Sequence, residues 1–184
     1  MFGGAALIGG FVESNYSPVD NYVSQLAATG SGWHGVMTFG FFALGICTLL
    51  FTLAVRALRP AAAVLALVLA LSGAGTLMAG SFGCDPGCPT NGDTTTHQDL
   101  HNVSSVITFS AWIVAPFIAA WQLRRTKFAR VSLAIGVLLL VFGGALGDAK
   151  PDDPVGLLQR IELLGVGLWF VLFALDLRRA SVAS

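Results

Sequence analysis

Charge is what this sequence has least of. Only 11% of its 184 residues are Asp, Glu, Lys or Arg, while 55% are hydrophobic and the mean hydropathy is +0.76. An ordinary soluble domain carries roughly a quarter of its residues as charges, so the deficit makes lipid the solvent for most of this chain. Ten basic residues balance ten acidic ones, which leaves no cationic face of the kind that nucleic acid requires. Other signatures are missing too: no phosphate-cradling glycine loop followed by Lys, no G-x-S-x-G elbow, and no heme or iron-sulfur cysteine pattern. Histidine and cysteine number three each. With so few, their positions carry information.

What the chain has in abundance is apolar runs. Four approach full membrane length, at 33–55, 61–82, 103–123 and 131–147, and a fifth at 161–177 is interrupted only near its ends by Glu162 and Asp176. Each reads as a transmembrane helix. The shorter runs give about 25 Å of helix against a hydrocarbon core of roughly 30 Å, a gap that local thinning or interfacial residues cover. Gly143, Gly144, Gly165 and Gly167 lie within these runs, where small residues permit close helix approach. Trp33, Trp112, Trp121 and Trp169 fall mostly near span ends, where indole prefers the interface. At roughly 20 residues per crossing, the length holds five or six spans in a single membrane domain over 1–184, with no room for a separate soluble one.

The first helix is short. Residues 1–12 supply only about 16 Å of apolar helix before Glu13, Ser14 and Asn15. No basic segment precedes the run and no clear cleavage site follows, which argues against a signal peptide. The expectation is a partial first span whose beginning lies upstream, or a short re-entrant segment. The fold class expected is therefore all-α: a polytopic transmembrane helix bundle of five firm spans plus a short or truncated first one.

Short loops rich in Lys and Arg remain cytoplasmic. Arg56, Arg59, Arg124, Arg125, Lys127, Arg130, Arg178 and Arg179 all fall on one side, and both termini then face the cytoplasm of a cell-membrane protein if the first helix spans. The other side receives Glu13, Asp20, Asp85, Asp93, Asp99, Asp148, Asp152 and Asp153, with Lys150 and Arg160. All three histidines sit there as well.

His97 and His101 open the 103–123 span as H-x-x-x-H, a spacing that puts two imidazoles on one helical face, where they can share a metal. His34 stands at the corresponding end of another span. The outer loop 83–101 adds Cys84-Asp85-Pro86-Gly87-Cys88. Two readings of it compete: a zinc-like C-x-x-x-C plus H-x-x-x-H set, and a Cys84–Cys88 disulfide across the Pro-Gly turn. The oxidising side favours the disulfide. A metal, zinc or another divalent ion, would then take His97, His101 and Asp85 and keep a position for water, lowering that water's pKa toward 7. Arg160 and Glu162, ionisable residues at a membrane boundary, are site candidates as well, with helix-end snorkelling and dipole pairing as the plainer roles. Asp20 is expected to cap a helix running through Leu26, and Asp176 to be neutralised by Arg178 and Arg179.

Taken in order, Tyr16-Ser17, Ser24-Gln25-Leu26, Phe82 with Asp85-Pro86, His97-x-x-x-His101, and Gly156-Leu157-Leu158-Gln159-Arg160 before Trp169 make the chain resemble a family of prokaryotic membrane proteins catalogued as domain of unknown function number 998. The resemblance covers nearly the whole length and implies six helices, without implying an activity. The Cys84 and Cys88 pair looks like an elaboration found in only some members.

Two functions fit the residues. The first is a metal-dependent hydrolase or lipid-modifying enzyme with its site at the extracytoplasmic face, built from the metal set with Asp85 or Glu162 as catalytic carboxylates and with Arg160 and His34 contacting substrate. The second is a noncatalytic membrane protein, such as an accessory, lipid-binding or transport-related one, in which His97 and His101 are bonded to loop backbone. No ionisable residue lies near the midplane of the five firm spans, which counts against proton-coupled transport. Membrane lipid is the expected partner under either.

Overall fold

The computed structural model describes residues 2–90, 92–150 and 152–182. Its elements are α1 (Phe2–Val12), a 3-10 turn (Val23–Ala27), α2 (His34–Leu58), α3 (Ala63–Ser81), α4 (Thr96–Gln122), α5 (Phe128–Gly147) and α6 (Val155–Val182), with no strand among the described residues. Helices α2 to α6 are each long and apolar enough to cross a bilayer, and α1 is a shorter apolar helix. The protein is a multi-pass membrane protein. Met1, at the start of the expected first span, lies outside the described residues.

Two helices start earlier than their apolar runs. In α4, the Thr95 hydroxyl accepts the Gln98 N–H and Asp99 occupies the first turn, so capping and dipole pairing carry the helix about two turns beyond the apolar stretch. In α6, Pro154 offers its carbonyl to the Leu158 N–H and needs no donor of its own. Arg160 and Glu162 thus lie inside α6 rather than at its mouth.

Consecutive long helices pack against one another along the chain order, whereas α2 and α6, the two ends of the series, touch only slightly. Close approach is set by small residues. A Cβ on Gly45 would stand 2.7 Å from Leu77 and 3.0 Å from the Gly73 carbonyl, so α2 and α3 meet backbone to backbone there. The outward faces are apolar, with Leu53, Leu67, Val106, Val141 and Leu164 all exposed. This is the surface that lipid wets.

The bundle has two ends of opposite character. At the arginine end, Leu65, Leu69, Phe128, Trp169 and Phe173 form a buried cluster. Phe128 stacks on Phe173 with centroids 4.9 Å apart, and the Trp169 indole donates to the Ser132 hydroxyl. Asp176 pairs with Arg59, the residue that follows α2, at 3.1 Å. The Gln122 amide oxygen accepts the Leu65 N–H in the first turn of α3. The opposite end, the histidine end, is a cap of loops.

Candidate functional site

The cap begins with the segment after α1. Gly156 lets residues 18–21 lie directly on the first turn of α6: a Cβ there would stand 2.7 Å from the Pro18 carbonyl and 2.9 Å from that of Val19, and would overlap that of Asn21. Main chain then bonds main chain, Leu157 N–H donating to Val19 at 2.9 Å. The Gln159 amide oxygen accepts the Val23 N–H at 2.6 Å. Asp20 does not cap the 3-10 turn. Its carboxylate accepts the Ser17 hydroxyl instead, and the turn follows Tyr22 without a side-chain cap.

Arg160 locks this segment. Its guanidinium donates to the carbonyls of Pro18 at 2.7 Å and Gly156 at 3.0 Å, and to the Tyr16 phenol oxygen at 2.7 Å, while lying over the Tyr16 ring. All of these acceptors are neutral. No carboxylate pairs with Arg160 among the described residues, so its charge faces the site uncompensated. Burial raises the pKa of the Tyr16 phenol, and the Arg160 hydrogen bond and charge oppose that rise. The phenol stays protonated and donates to the Tyr22 carbonyl at 3.1 Å.

The loop after α3 is held by a second set of bonds. Asp85 accepts the Thr95 N–H and hydroxyl at 3.1 and 2.8 Å, and its own N–H goes to the Gln98 amide oxygen at 2.7 Å. Gln25 donates to the Gly87 carbonyl at 2.6 Å. All four glutamines of the chain therefore bond the main chain of another segment. Cys84 and Cys88 bring their sulfurs into contact with Cα atoms 5.1 Å apart, a separation that suits a disulfide.

The three histidines gather around the last turn of α3, each in a different way. His101 is buried, and its Nδ1 meets the carbonyls of Phe82 at 2.9 Å and Ala79 at 3.1 Å, two groups that the end of a helix leaves without an internal donor. His97 is exposed, its ring edge-on to Phe82 at 5.7 Å between centroids. His34 bonds the Ala27 carbonyl through Nδ1 at 2.7 Å, and a Cβ on Gly83 would lie 3.3 Å from its ring. Of the ligand set expected from sequence, His101 enters a cluster and His97 and Asp85 do not. Among the described residues, the group of three whose ligand atoms lie within 4.8 Å of one another is Cys84, Cys88 and His101. These are three of the four residues of the competing C-x-x-x-C plus H-x-x-x-H set, and His97 is the one that stands apart.

Glu162 lies fully buried, with neither carboxyl oxygen hydrogen-bonded, facing the space left by Gly143 of α5. Elsewhere in the interior, Trp112 packs on Leu139 and Val166 with its indole N–H lacking an acceptor.

Where α2 and α6 diverge, a cavity of about 780 Å³ opens. Phe2, Ala6 and Leu7 of α1, Leu44, Thr48 and Phe51 of α2, Trp112 of α4, and Leu164, Gly167, Phe170 and Val171 of α6 line it, and Arg160 stands at its histidine end.

The short motifs scattered along the sequence thus meet in one place: Tyr16 with Arg160, Gln25 with Gly87, Asp85 with Gln98, and His101 with Phe82. The family described as "Protein of unknown function (DUF998)" matches residues 2–176. The chain belongs to this family. No curated protein and no solved structure matches it. In this DUF998 protein the motif residues are the bonds that close one end of the bundle over a lateral apolar groove.

Proposed function

We propose that this DUF998 protein binds a membrane lipid, its acyl chain in the groove between α2 and α6 and its anionic headgroup at Arg160. The observation that carries this reading is the 780 Å³ cavity with a cation at one end and an apolar lining along the rest. Its size falls within the roughly 300–1,000 Å³ typical of ligand sites. Arg160 is held in place by neutral acceptors, so a phosphate oxygen meets a positioned and unneutralised guanidinium. With the arginine end in the cytoplasm, as the positive-inside rule directs, this headgroup position belongs to the extracytoplasmic leaflet.

The noncatalytic reading, which expects backbone bonds for His97 and His101, gains support at His101 and from the further backbone bond of His34. A hydrolase built on Asp85, His97 and His101 has less behind it, since Asp85 is engaged by Thr95 and His97 lies exposed against Phe82.

The test is lipid retention measured by native mass spectrometry after exchange into phosphatidylglycerol or phosphatidylcholine micelles. The expected result is preferential retention of the anionic lipid, weakened about tenfold in Arg160→Gln. Gly167 lines the groove and has open space around it, so Gly167→Phe is expected to abolish retention without unfolding the bundle. Equal retention by wild type and Gly167→Phe would overturn the proposal.

A further inference from the structure

Cys84, Cys88 and His101 are all buried, at 0%, 5% and 3% exposure, and their ligand atoms lie within 4.8 Å of one another. Both partners of His101 Nδ1 are carbonyl oxygens, which only accept, so Nδ1 carries the proton. The lone pair of the neutral ring is then on Nε2. A metal-binding imidazole is commonly held this way, with a carbonyl behind the far nitrogen fixing tautomer and orientation. We propose that the reduced cysteine pair and His101 form a binding site for a zinc-like divalent metal, which closure of the Cys84–Cys88 disulfide abolishes.

Donor chemistry and charge agree on the ion. Thiolate sulfur and imidazole nitrogen suit Zn²⁺, with bonds of about 2.3 and 2.0 Å that place two ligands of one tetrahedral ion roughly 3.5–4 Å apart. The ligand atoms, all within 4.8 Å of one another, lie on the scale of that spacing. Two thiolates also cancel the charge of the dication, so a neutral complex occupies the buried site and no unpaired charge is desolvated. The backbone that carries the cysteines is pinned independently of the sulfurs. Cys88 N–H bonds the Asp85 carbonyl at 2.8 Å, Gln98 holds the Asp85 N–H, Gln25 holds the Gly87 carbonyl, and Thr29 N–H bonds the Cys84 carbonyl at 2.9 Å. Reduction therefore leaves the two thiols in place. The Cys84 sulfur lies 3.4 Å from the Ser24 carbonyl, an acceptor for the freed S–H.

The chemistry balances in two steps. A dithiol reductant gives two electrons and two protons to the Cys84–Cys88 disulfide and becomes a disulfide itself. The metal then displaces both thiol protons, so binding releases two protons and weakens as pH falls. A disulfide oxidant reverses the first step and expels the ion. The site is separate from the α2–α6 groove, and its test does not depend on lipid binding.

The experiment uses the full chain in detergent micelles with Co²⁺ as the probe. Protein reduced with a phosphine is expected to bind one equivalent and to show the thiolate-to-cobalt charge-transfer band in the near ultraviolet. The same protein oxidised with diamide shows none, a control that involves no substitution and no question of folding. Cys84→Ser and Cys88→Ser lose the band, His101→Gln weakens affinity at least tenfold, and His97→Ala retains it. Absence of the band in reduced wild type, or an unaltered band in Cys84→Ser or His101→Gln, would refute the site.

Discussion

At the arginine end, the rings of Phe128, Trp169 and Phe173 interlock and the charged residues stand outside them. At the histidine end, a smaller apolar cluster around Val23, Leu26 and Met37 is supplemented by bonds from polar side chains to main chain that join one segment to the next: Arg160 to Pro18, Gln159 to Val23, Gln25 to Gly87, His101 to Phe82. The difference follows from the backbone. Helices satisfy their own peptide groups, so side chains between them are free to be apolar. The cap is irregular chain beside a bilayer, where each N–H and C=O needs a partner from elsewhere. Polar residues that invite a catalytic reading are, in large part, supplying those partners.

The comparison breaks most sharply at Gly156. Gly156→Val drives a branched side chain into the carbonyls of residues 18–21, and a loss of about 3 kcal/mol is expected from overpacking, measured by reversible unfolding in mixed detergent micelles. A loss below that of Phe173→Ala would mean that the cap contributes less than the aromatic cluster. Phe173→Ala itself is expected to cost about 2 kcal/mol. That is less than a soluble core would lose, because lipid replaces water as the reference and mainly the cavity and dispersion terms remain. Last comes the histidine pair. His101→Ala leaves the Ala79 and Phe82 carbonyls without their donor and should cost about 1–2 kcal/mol, whereas the exposed His97 should change stability by under about 0.5 kcal/mol on replacement by Ala. Equal effects of the two would show that the bonds to the end of α3 contribute nothing.

The membrane class and the long helices were legible in the sequence because a bilayer imposes length and apolarity on every span, including those at 33–55 and 131–147. Helix starts were less so: Thr95 and Pro154 begin α4 and α6 through capping and backbone chemistry that hydropathy does not register. The nearness of Cys84 and Cys88 followed from the Pro-Gly turn between them. Backbone bonding of His101 was one of the two roles expected, but which carbonyls it meets was not legible, since every residue type presents the same carbonyl. Nor was the groove legible. It exists where α2 and α6 part, and apolar residues lining a gap look the same in sequence as apolar residues facing lipid.

The four glutamines also bear on how this chain tolerates change. Gln98, Gln122 and Gln159 each accept a main-chain N–H, and Gln25 donates to a main-chain carbonyl. What they recognise has no side-chain identity. Over evolutionary drift, Val23 and Leu65 are then restricted by the volume they fill and by the exclusion of proline, which has no N–H to give, while the amides that bind their N–H groups are restricted by chemistry. Divergence among relatives should accumulate on one side of these contacts and spare the other.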